Sequence, residues 1–251
     1  MNTIQHNIND KSNLNLVALL YNNGYKLIIS KQKELILFNK EESHNSVGVF
    51  INFINGLGID KFESAKILIN SSKNTFIPNT VYSPLIKRDL FNLNFEDTPE
   101  ENIASEILSI QKLVCLFEFT NENKAKIVSK IPNAKFFNSN SILIENLMDN
   151  NIQSENIISL TGNSLDIIVK ENNKLKTHCT NTINNNDELL YFLSLNIDQN
   201  NTLNYCGDFS QEVLEYLKKY YTLKPSNFKS FIQDKELTTE NIIINNSFLC
   251  A

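Results

Sequence analysis

The chain has 251 residues with 41% hydrophobic residues, only 6 glycines and 5 prolines, and a formal net charge of -5. This is the composition of an ordinary globular protein, and it excludes a disordered, collagen-like or disulfide-scaffold chain. The negative net charge predicts no basic face to neutralise phosphates, so we expect no nucleic-acid partner.

The termini and the cysteines bear on the compartment. Residues 1–13 are polar and contain no basic segment followed by an apolar one, so they predict no secretory signal. No apolar run approaches 18 residues, which predicts no membrane span and a cytoplasmic protein. The cysteines lack C-x-x-C spacing, so we expect buried thiols and no metal site. They are Cys115, Cys179, Cys206 and Cys250.

The apolar pattern of residues 17–57 returns, shifted by 140 positions, in residues 157–197. Tyr25–Ile29 in the first copy corresponds to Leu165–Val169 in the second, with the same apolar positions and the same single polar position. The pattern indicates an internal duplication.

The duplicated unit begins with apolar segments joined by polar turns, which predict a three-stranded antiparallel meander. A helix capped by Ser43 or Asn45 follows, and a short buried strand comes after it. The predicted elements of the first copy are strands at Leu14–Leu20, Tyr25–Ile29, Leu35–Phe38 and Ile67–Ile69, and a helix carrying Val49, Phe50, Phe53 and Leu57.

The stretch between residues 76 and 149 is less regular. We expect a short helix over Tyr82–Leu90, broken by Pro84, and a surface excursion that contains the acidic run 96–101 and Ile103–Ile107. Alternating segments then close the first half. They are a strand at Lys112–Phe119, a helix capped by Asn121 and running to Lys130, a strand at Lys135–Phe137 and a helix that starts at Ser139 or Ser141.

The second copy repeats the meander, the helix and the following strand, and then adds an amphipathic helix that carries Val213, Leu214, Leu217 and Tyr220 on one side. Phe228–Ile232 and Ile242–Ile244 are predicted to be closing strands. The duplication predicts two domains, residues 1–150 and residues 151–251.

Two βββαβαβα units in one α/β chain resemble the actin-like ATPase superfamily, which duplicates a ribonuclease-H-like domain. Leu113–Met148 followed by Leu160–Leu175 also resembles actin-like pilus-assembly and secretion scaffolds. Short matches resemble a bacterial family called domain of unknown function 3822. They are Phe76–Pro78, Ser141–Glu145, Leu203–Ser210 and Phe248–Cys250.

The superfamily resemblance implies where a nucleotide would bind. In its active members both hairpin turns wrap phosphates with glycine N–H groups, and an Asp at each turn holds magnesium and orients water. Here Leu20 and Leu160 stand at the Asp positions. The cleft residues that the resemblance implies are Asn22, Asn23 and Gly24 in the first turn, Thr161, Gly162, Asn163 and Ser164 in the second, and Gly207, Asp208 and Ser210 in the adenosine turn.

The adenosine-turn residues allow a second interpretation, in which Asp208 or Ser210 caps the following helix. Because both phosphate-site carboxylates are missing, we expect a catalytically inactive protein that binds or organises a protein partner, with no ATP, magnesium or other metal. Two alternatives stay open: an ATPase or sugar-kinase-like phosphotransferase that uses Asp166 or Asp208, and a cytosolic scaffold of a pilus- or secretion-like complex.

Overall fold

The computed structural model describes residues 2–5, 12–149, 152, 154–226, 228, 232 and 241–247. In chain order the strands are β1 (Asn2–Gln5), β2 (Leu14–Tyr21), β3 (Gly24–Lys31), β4 (Glu34–Glu42), β5 (Ser64–Ile69), β6 (Asn74–Pro78), β7 (Ile103–Leu108), β8 (Leu113–Glu118), β9 (Ala134–Asn138), β10 (Glu155–Thr161), β11 (Ser164–Glu171), β12 (Lys174–Thr182), β13 (Thr202–Gly207) and β14 (Thr222–Pro225). The helices are α1 (Ser46–Leu57), α2 (Lys87–Asn92), α3 (Asn121–Lys130), α4 (Ser139–Asp149), α5 (Asn186–Asn196), α6 (Gln211–Leu217) and α7 (Ile242–Ser247).

Three sheets organise the described residues. The first has the strand order β1-β4-β3-β2-β5-β9, and the second has the order β12-β11-β10-β13-β14. In both, an antiparallel meander is extended by parallel strands beyond its first strand. We call the part built on the first sheet the first half and the part built on the second sheet the second half. The third sheet, β6-β8-β7, is inserted in the first half.

The predicted duplication is confirmed in three dimensions. Strands β3 and β4 correspond to β11 and β12 at a shift of 140 residues, and α1 corresponds to α5. Even the irregularities repeat, since a bulge falls between Ile29 and Ser30 and another between Val169 and Lys170. A bulge bends and twists its strand, so both meanders curve at the same place.

Helices α1 and α5 begin in the same way. The Asn45 side chain accepts a hydrogen bond from the Gly48 N–H at 3.0 Å, and the Asn185 side chain accepts one from the Glu188 N–H at 2.8 Å. Each amide oxygen satisfies one of the free donors of a helix N-terminus. Of the two predicted caps for α1, Asn45 is therefore the cap. The predicted cap Asn121 is wrong, because Thr120 caps α3 by accepting a hydrogen bond from the Asn123 N–H at 3.3 Å.

The hydrophobic core runs across the junction between the halves. Ile157, Ile168 and Cys206 of the second half belong to the same buried cluster as the meander of the first half. A separate cluster lies on the far side of the second sheet, and a small one underlies the inserted sheet. Among the described residues, no helix is long and apolar enough to cross a membrane.

Several sequence-based expectations need correction in the inserted region. The sequence predicts a surface excursion at Ile103–Ile107, but these residues form β7, and Phe76–Pro78 belongs to β6. The strand expected at Lys112–Phe119 is β8, which pairs with both of them. The two outer strands are short and half exposed, so they lack the alternating apolar pattern that identifies a strand in sequence. The helix expected over Tyr82–Leu90 is a 3-10 turn followed by α2.

The expected strand at Ile242–Ile244 is wrong, because these residues begin helix α7. The run of isoleucines favours a strand by local propensity, yet Ile243 and Ile244 are buried in the core shared by the halves, and tertiary packing overrides the preference. Strands β1 and β14 are not among the predicted elements, and α6 ends at Leu217, before Tyr220 of the predicted amphipathic helix. Residues 229–231 of the strand expected at Phe228–Ile232, the segment Phe248–Cys250 and the domain boundary at 150/151 lie outside the described residues.

Candidate functional site

The two hairpin turns have equivalent anchors, although their backbones differ, since Gly162 has a positive φ and its counterpart Asn22 does not. Gly24 has φ 148°, and a Cβ there would lie 2.2 Å from the Glu41 carbonyl oxygen. The carbonyl of Asn23 accepts a hydrogen bond from the Ser43 N–H, and the carbonyl of Asn163 accepts one from the Ile183 N–H, both at 2.9 Å. Each turn is thus fixed to the end of its own meander.

The turns touch each other at Tyr21 and Gly162. Gly162 has φ 59°, and a Cβ at this position would lie 3.1 Å from Cδ2 of the Tyr21 ring. Tyr21 is buried, and among the described residues its hydroxyl has no hydrogen-bond partner. Burial, followed by the charges of Asp208 and Glu42, raises the pKa of Tyr21. The ring therefore fills the space between the turns with a neutral group.

Asp208 enters the same junction from the end of β13. Gly207 has φ 96°, and a Cβ there would lie 2.0 Å from the Leu160 carbonyl oxygen, so only glycine fits this close approach. The Asp208 N–H donates to that carbonyl at 2.6 Å. This geometry turns the Asp208 side chain out of the second half and toward the first.

Three donors meet the Asp208 carboxylate. The Lys26 Nζ lies 2.5 Å from Oδ1, the Lys40 Nζ lies 3.5 Å from Oδ1, and the Gly162 N–H donates to Oδ2 at 3.2 Å. The Lys26 and Asp208 side chains are 2% and 13% exposed. Charge-assisted bonds of this kind are strong when they are shielded from water. The carboxylate therefore joins the second hairpin turn to strands β3 and β4 of the first half.

Asp166, the alternative catalytic carboxylate, lies in a second buried network. Its Oδ1 accepts hydrogen bonds from the Thr180 hydroxyl at 2.7 Å and from the Asn140 Nδ2 at 2.8 Å, and its Oδ2 accepts one from the Asn70 Nδ2 at 3.3 Å. Burial raises the pKa of Asp166 to about 6, and these three donors oppose the rise. Asn70 and Asn140 belong to the first half, so this network also joins the halves.

Asn70 and Asp208 occupy equivalent places. Each directly follows the strand parallel to the meander, and each donates its N–H to the meander strand, Asn70 to the Leu20 carbonyl at 2.9 Å and Asp208 to the Leu160 carbonyl at 2.6 Å. Both side chains then reach into the opposite half. We call these the two crossed contacts: Asp208 to Lys26, and Asn70 to Asp166.

The predicted cleft residues separate into two groups. Gly162 and Asp208 are in direct contact, with the first turn beside them. Ser210 instead caps α6 by accepting a hydrogen bond from the Val213 N–H at 3.3 Å, and Ser164 is buried. Of the two cap interpretations for this turn, Ser210 is correct and Asp208 has a different role. Thr161 is buried within its strand.

The sequence-based interpretation missed Lys26, Lys40 and Asn70. Lys26 does leave a signal, because it is the single polar residue of the apolar segment Tyr25–Ile29 and matches Asp166 in the second copy. Lys40 and Asn70 leave none, since polar residues near strand ends are common in any sequence.

The described residues do not fit a magnesium nucleotide. Leu20 and Leu160, at the positions of the missing carboxylates, are buried. No group of three or more His, Cys, Asp or Glu side chains in the described part of the chain is arranged to hold a metal ion. The Asp208 carboxylate is already bound to Lys26, to Lys40 and to the Gly162 N–H of the second turn.

Among the described residues, His178, Cys206 and Cys115 do not form a nucleophilic centre. The His178 ring packs edge-on against Phe76 with ring centroids 4.8 Å apart, and burial lowers the pKa of His178 to about 4. Burial raises the pKa of the Cys206 thiol to about 12 and that of Cys115 well above its usual value. Thiols with raised pKa values are poor nucleophiles.

Solved structures resemble the chain over nearly its whole length. A Bacteroides thetaiotaomicron protein with an actin-like ATPase fold and unknown function superposes with a TM-score of 0.79 at 18% identity, over 96% of this chain and 97% of that one. The fold of the chain is therefore the actin-like ATPase fold.

Two assembly proteins are also similar. The PilM-PilN type IV pilus biogenesis complex matches with a TM-score of 0.56 at 11% identity, over 93% of this chain and 97% of that one. The cytoplasmic domain of EpsL, an inner-membrane component of the type II secretion system of Vibrio cholerae, matches with a TM-score of 0.54 at 9% identity, over 95% and 96%. At these identities the likeness concerns the fold alone.

No curated protein matches the sequence. A family model described as protein of unknown function (DUF3822) matches residues 56–205, which is more than half of the chain. The matched segment includes the inserted sheet, the second hairpin turn and most of β13. The chain belongs to the DUF3822 family.

Proposed function

We propose that this chain is a non-hydrolysing protein of the actin-like fold that binds a protein partner. The observation that carries the proposal is the position of the Asp208 carboxylate, which lies between Lys26 and the Gly162 N–H at the junction of the turns. The superfamily resemblance implies that phosphate oxygens accept hydrogen bonds from N–H groups of the turns, and here Asp208 already accepts the one from Gly162.

The missing carboxylates support the same conclusion. Phosphoryl transfer depends almost entirely on positioning and on neutralising charge, and a magnesium ion held by Asp does much of both. Leu20 and Leu160 are buried and apolar, so they supply neither effect. Removing such electrostatic stabilisation costs on the order of a hundredfold to a thousandfold in rate for each group.

Titration calorimetry with Mg-ATP, together with a phosphate-release assay on the same preparation, tests this proposal. We expect neither heat of binding nor release above a buffer blank. Turnover that remains constant through successive purification steps would overturn it.

The enzymatic alternative uses Asp166 or Asp208 as the acidic group. It requires that Asp166→Ala or Asp208→Ala abolishes turnover while the far-ultraviolet circular dichroism stays that of the wild type. Unchanged turnover in both variants would remove this alternative, because it rests on these two carboxylates. The burial of Asp166 and the engagement of Asp208 both count against it.

A second candidate function is that of a scaffold in a pilus- or secretion-like complex, located in the cytoplasm. It is supported by the fold shared with PilM and EpsL and by a set of exposed apolar side chains around the inserted sheet. Leu85 is 94% exposed, and Leu93, Ile107 and Ile110 are also exposed. Large apolar side chains that are left exposed often belong to a protein-binding surface.

Affinity capture from a membrane extract tests the scaffold role. The wild-type chain should retain a specific membrane protein, identified by mass spectrometry, and a Leu85→Glu/Leu93→Glu variant should lose it. Leu195→Glu, at an exposed leucine of the second half, is the matched control and should retain it. Equal retention by all three proteins would rule out the inserted sheet as the binding surface.

A further inference from the structure

Strand β7 is a free edge of the inserted sheet. It pairs with β8 on one side, and among the described residues no strand lies on its other side. The Phe119 N–H donates to the Asn102 carbonyl at 2.8 Å, which fixes the pattern of the ladder. In an antiparallel pair, residues that bond to the neighbouring strand alternate with residues whose N–H and C=O groups face away from it. The backbone groups of Ile103, Ser105 and Ile107 therefore point to the free side.

The surroundings of this edge are exposed and apolar. Ile107 is 58% exposed, and Ser105 beside it is also exposed. The Lys87 Nζ donates to the Ile103 carbonyl at 2.9 Å, so the start of α2 lies next to the edge. Leu85, which is 94% exposed, precedes Lys87 by two residues. An edge strand with free backbone groups and exposed apolar side chains is prone to pair with another chain.

The edge is complementary to itself. Its outward-facing residues Ile103, Ser105 and Ile107 give the same order of residue types in both directions. If two β7 strands pair antiparallel about Ser105, each Ile107 lies opposite Ile103 of the second copy. Both isoleucines are on one face of the strand, and Ile103 belongs to the buried cluster under the inserted sheet. Pairing would therefore extend that cluster over the exposed Ile107 side chains.

The charges fit the same arrangement. Glu100 and Glu101 are exposed just before β7, and Lys112 is exposed in the hairpin just after it. An antiparallel pair sets the start of one strand beside the end of the other, so the acidic turn of each copy comes near Lys112 of the second. Glu106 lies opposite Ala104 in this register and is already hydrogen-bonded within its own copy. No two like charges are opposed along the strands.

We propose that two copies of the chain pair through their β7 strands, antiparallel and about a two-fold axis at Ser105, so that the two inserted sheets become one continuous sheet. Lys87 keeps its bond to Ile103, because a carbonyl oxygen accepts two hydrogen bonds. Two short strands bury less than the roughly 1,200 Å² of the smallest stable interfaces, so the dimer should dissociate on dilution. The pairing involves the inserted sheet and not the hairpin turns, so it does not depend on the proposed function.

Sedimentation equilibrium of the wild-type chain, from micromolar to near-millimolar concentration, should show a reversible equilibrium between monomer and dimer. Ser105→Pro removes the outward N–H and no bond to β8, and both copies lose it, so the dissociation constant should rise by about tenfold or more. Ile107→Lys should raise it at least as much, because it replaces an apolar contact by a charge. Leu195→Lys, at an exposed leucine of the second half, is the matched control and should leave it unchanged.

Cross-linking tests the register. Ser105→Cys should form a disulfide-linked dimer under mild oxidation, because the Cα atoms of opposite residues in such a pair are about 5.5 Å apart. Ile107→Cys should not, because its two copies would be more than about 10 Å apart, which is beyond the reach of a disulfide. Non-reducing gel electrophoresis measures both, and the wild-type chain gives the background from the native cysteines.

Three results would each overturn the proposal: a wild-type monomer at every concentration, a dimer that survives both Ser105→Pro and Ile107→Lys, or equal cross-linking of the two cysteine variants. If circular dichroism shows that Ser105→Pro does not fold, Ile107→Lys decides, because its side chain is exposed in the monomer. Hydrolysis of Mg-ATP would overturn the proposed function and leave the pairing unaffected. A monomer without hydrolysis would overturn only the pairing.

Discussion

Lys26 and Asp166 stand at equivalent positions of the two meanders, 140 residues apart, and both side chains are buried although their charges are opposite. Each is bound by the side chain that follows the parallel strand of the other half, Asp208 for Lys26 and Asn70 for Asp166. The two copies have thus kept the same fold, while the buried charged residue at the equivalent position is a lysine in the first and an aspartate in the second.

The Lys26–Asp208 pair should contribute far more to the stability of the fold than the Lys40–Asp208 pair. Removing one partner of a buried ion pair typically costs about 3 kcal/mol or more, whereas a partly exposed pair contributes about 1 kcal/mol or less. We expect Lys26→Met to lower the free energy of unfolding by about 3 kcal/mol and Lys40→Met by less than about 1 kcal/mol. Urea unfolding measures both values.

The double variant Lys26→Met/Asp208→Asn completes a mutant cycle. Its loss of unfolding free energy should be smaller than the sum of the losses in the two single variants, because neither buried charge is left without its partner. Strict additivity would mean that the two groups do not interact in solution.

Ionisation of Asp166 should make the protein less stable. The pKa of this carboxyl is raised from 3.8 to about 6, so the folded state holds the proton more tightly than the unfolded state does. The contribution of Asp166 to stability is then greatest below pH 3.8 and declines as the pH rises toward 6, by up to about 3 kcal/mol. Above the folded pKa it is constant.

Asp166→Asn isolates this effect, because the amide keeps the shape and cannot ionise. The difference in unfolding free energy between wild type and variant should fall as the pH rises from about 4 to about 6 and then level off, as measured by urea unfolding at each pH. A difference that rises over the same interval would mean that the hydrogen bonds outweigh burial and hold the pKa below its usual value.

Gly162→Ala should be destabilising for two reasons, backbone strain and a contact with Tyr21. An alanine at φ 59° costs about 1 to 2 kcal/mol, and the new Cβ would lie 3.1 Å from the Tyr21 ring. Gly56→Ala is the control, since Gly56 lies in α1 and a Cβ added there would have no neighbouring atom within 4 Å. This control should stabilise the protein by about 1 kcal/mol. Thermal unfolding compares them, and a loss for both would point to a cause other than the turn.

Glu106 should hold the inserted sheet against the start of α4. It accepts hydrogen bonds from the Asn138 N–H at 2.9 Å and from the Ser141 hydroxyl at 2.7 Å, and burial raises the pKa of Glu106 to about 7. Glu106→Ala should speed hydrogen exchange of the Asn138 amide by about tenfold, which corresponds to a bond of about 1.5 kcal/mol.

Two further variants serve as controls for Glu106→Ala. Glu106→Gln keeps an acceptor and should preserve most of the protection, while Glu101→Ala, at a carboxylate of the same region, should leave the exchange of Asn138 unchanged. Faster exchange in Glu101→Ala would indicate a general loosening of the inserted sheet.

Local chemistry predicts much of the fold. The alternation of apolar residues and the polar turns identify both meanders, and Asn45 is one of the two predicted caps because a helix N-terminus needs a side-chain acceptor. The resemblance to the actin-like superfamily and to the DUF3822 family is confirmed. The meanders and the cap depend on neighbours within a few residues, which a sequence displays directly.

The site is only partly predictable, because its contacts join distant parts of the chain. Lys26 and Asp208 are 182 residues apart, and no spacing rule connects a lysine in a strand to an aspartate after another strand. Helix α7 is not predicted for a similar reason. Its isoleucines favour a strand by local propensity, but their packing in the core stabilises a helix. The turns at Gly24 and Gly162 are predicted correctly, but the contact of Gly162 with Tyr21 is not.

The crossed contacts also limit how the two halves could pair if they were made as separate chains. Two copies of the second half would set Asp208 against Asp166, bringing two carboxylates together in a buried place. Two copies of the first half would set Asn70 against Lys26, an amide against an ammonium that it cannot neutralise. Only the unlike pair sets Asp208 against a lysine and gives Asp166 an amide donor, so a gene split between the halves should yield a heterodimer and neither homodimer at this junction.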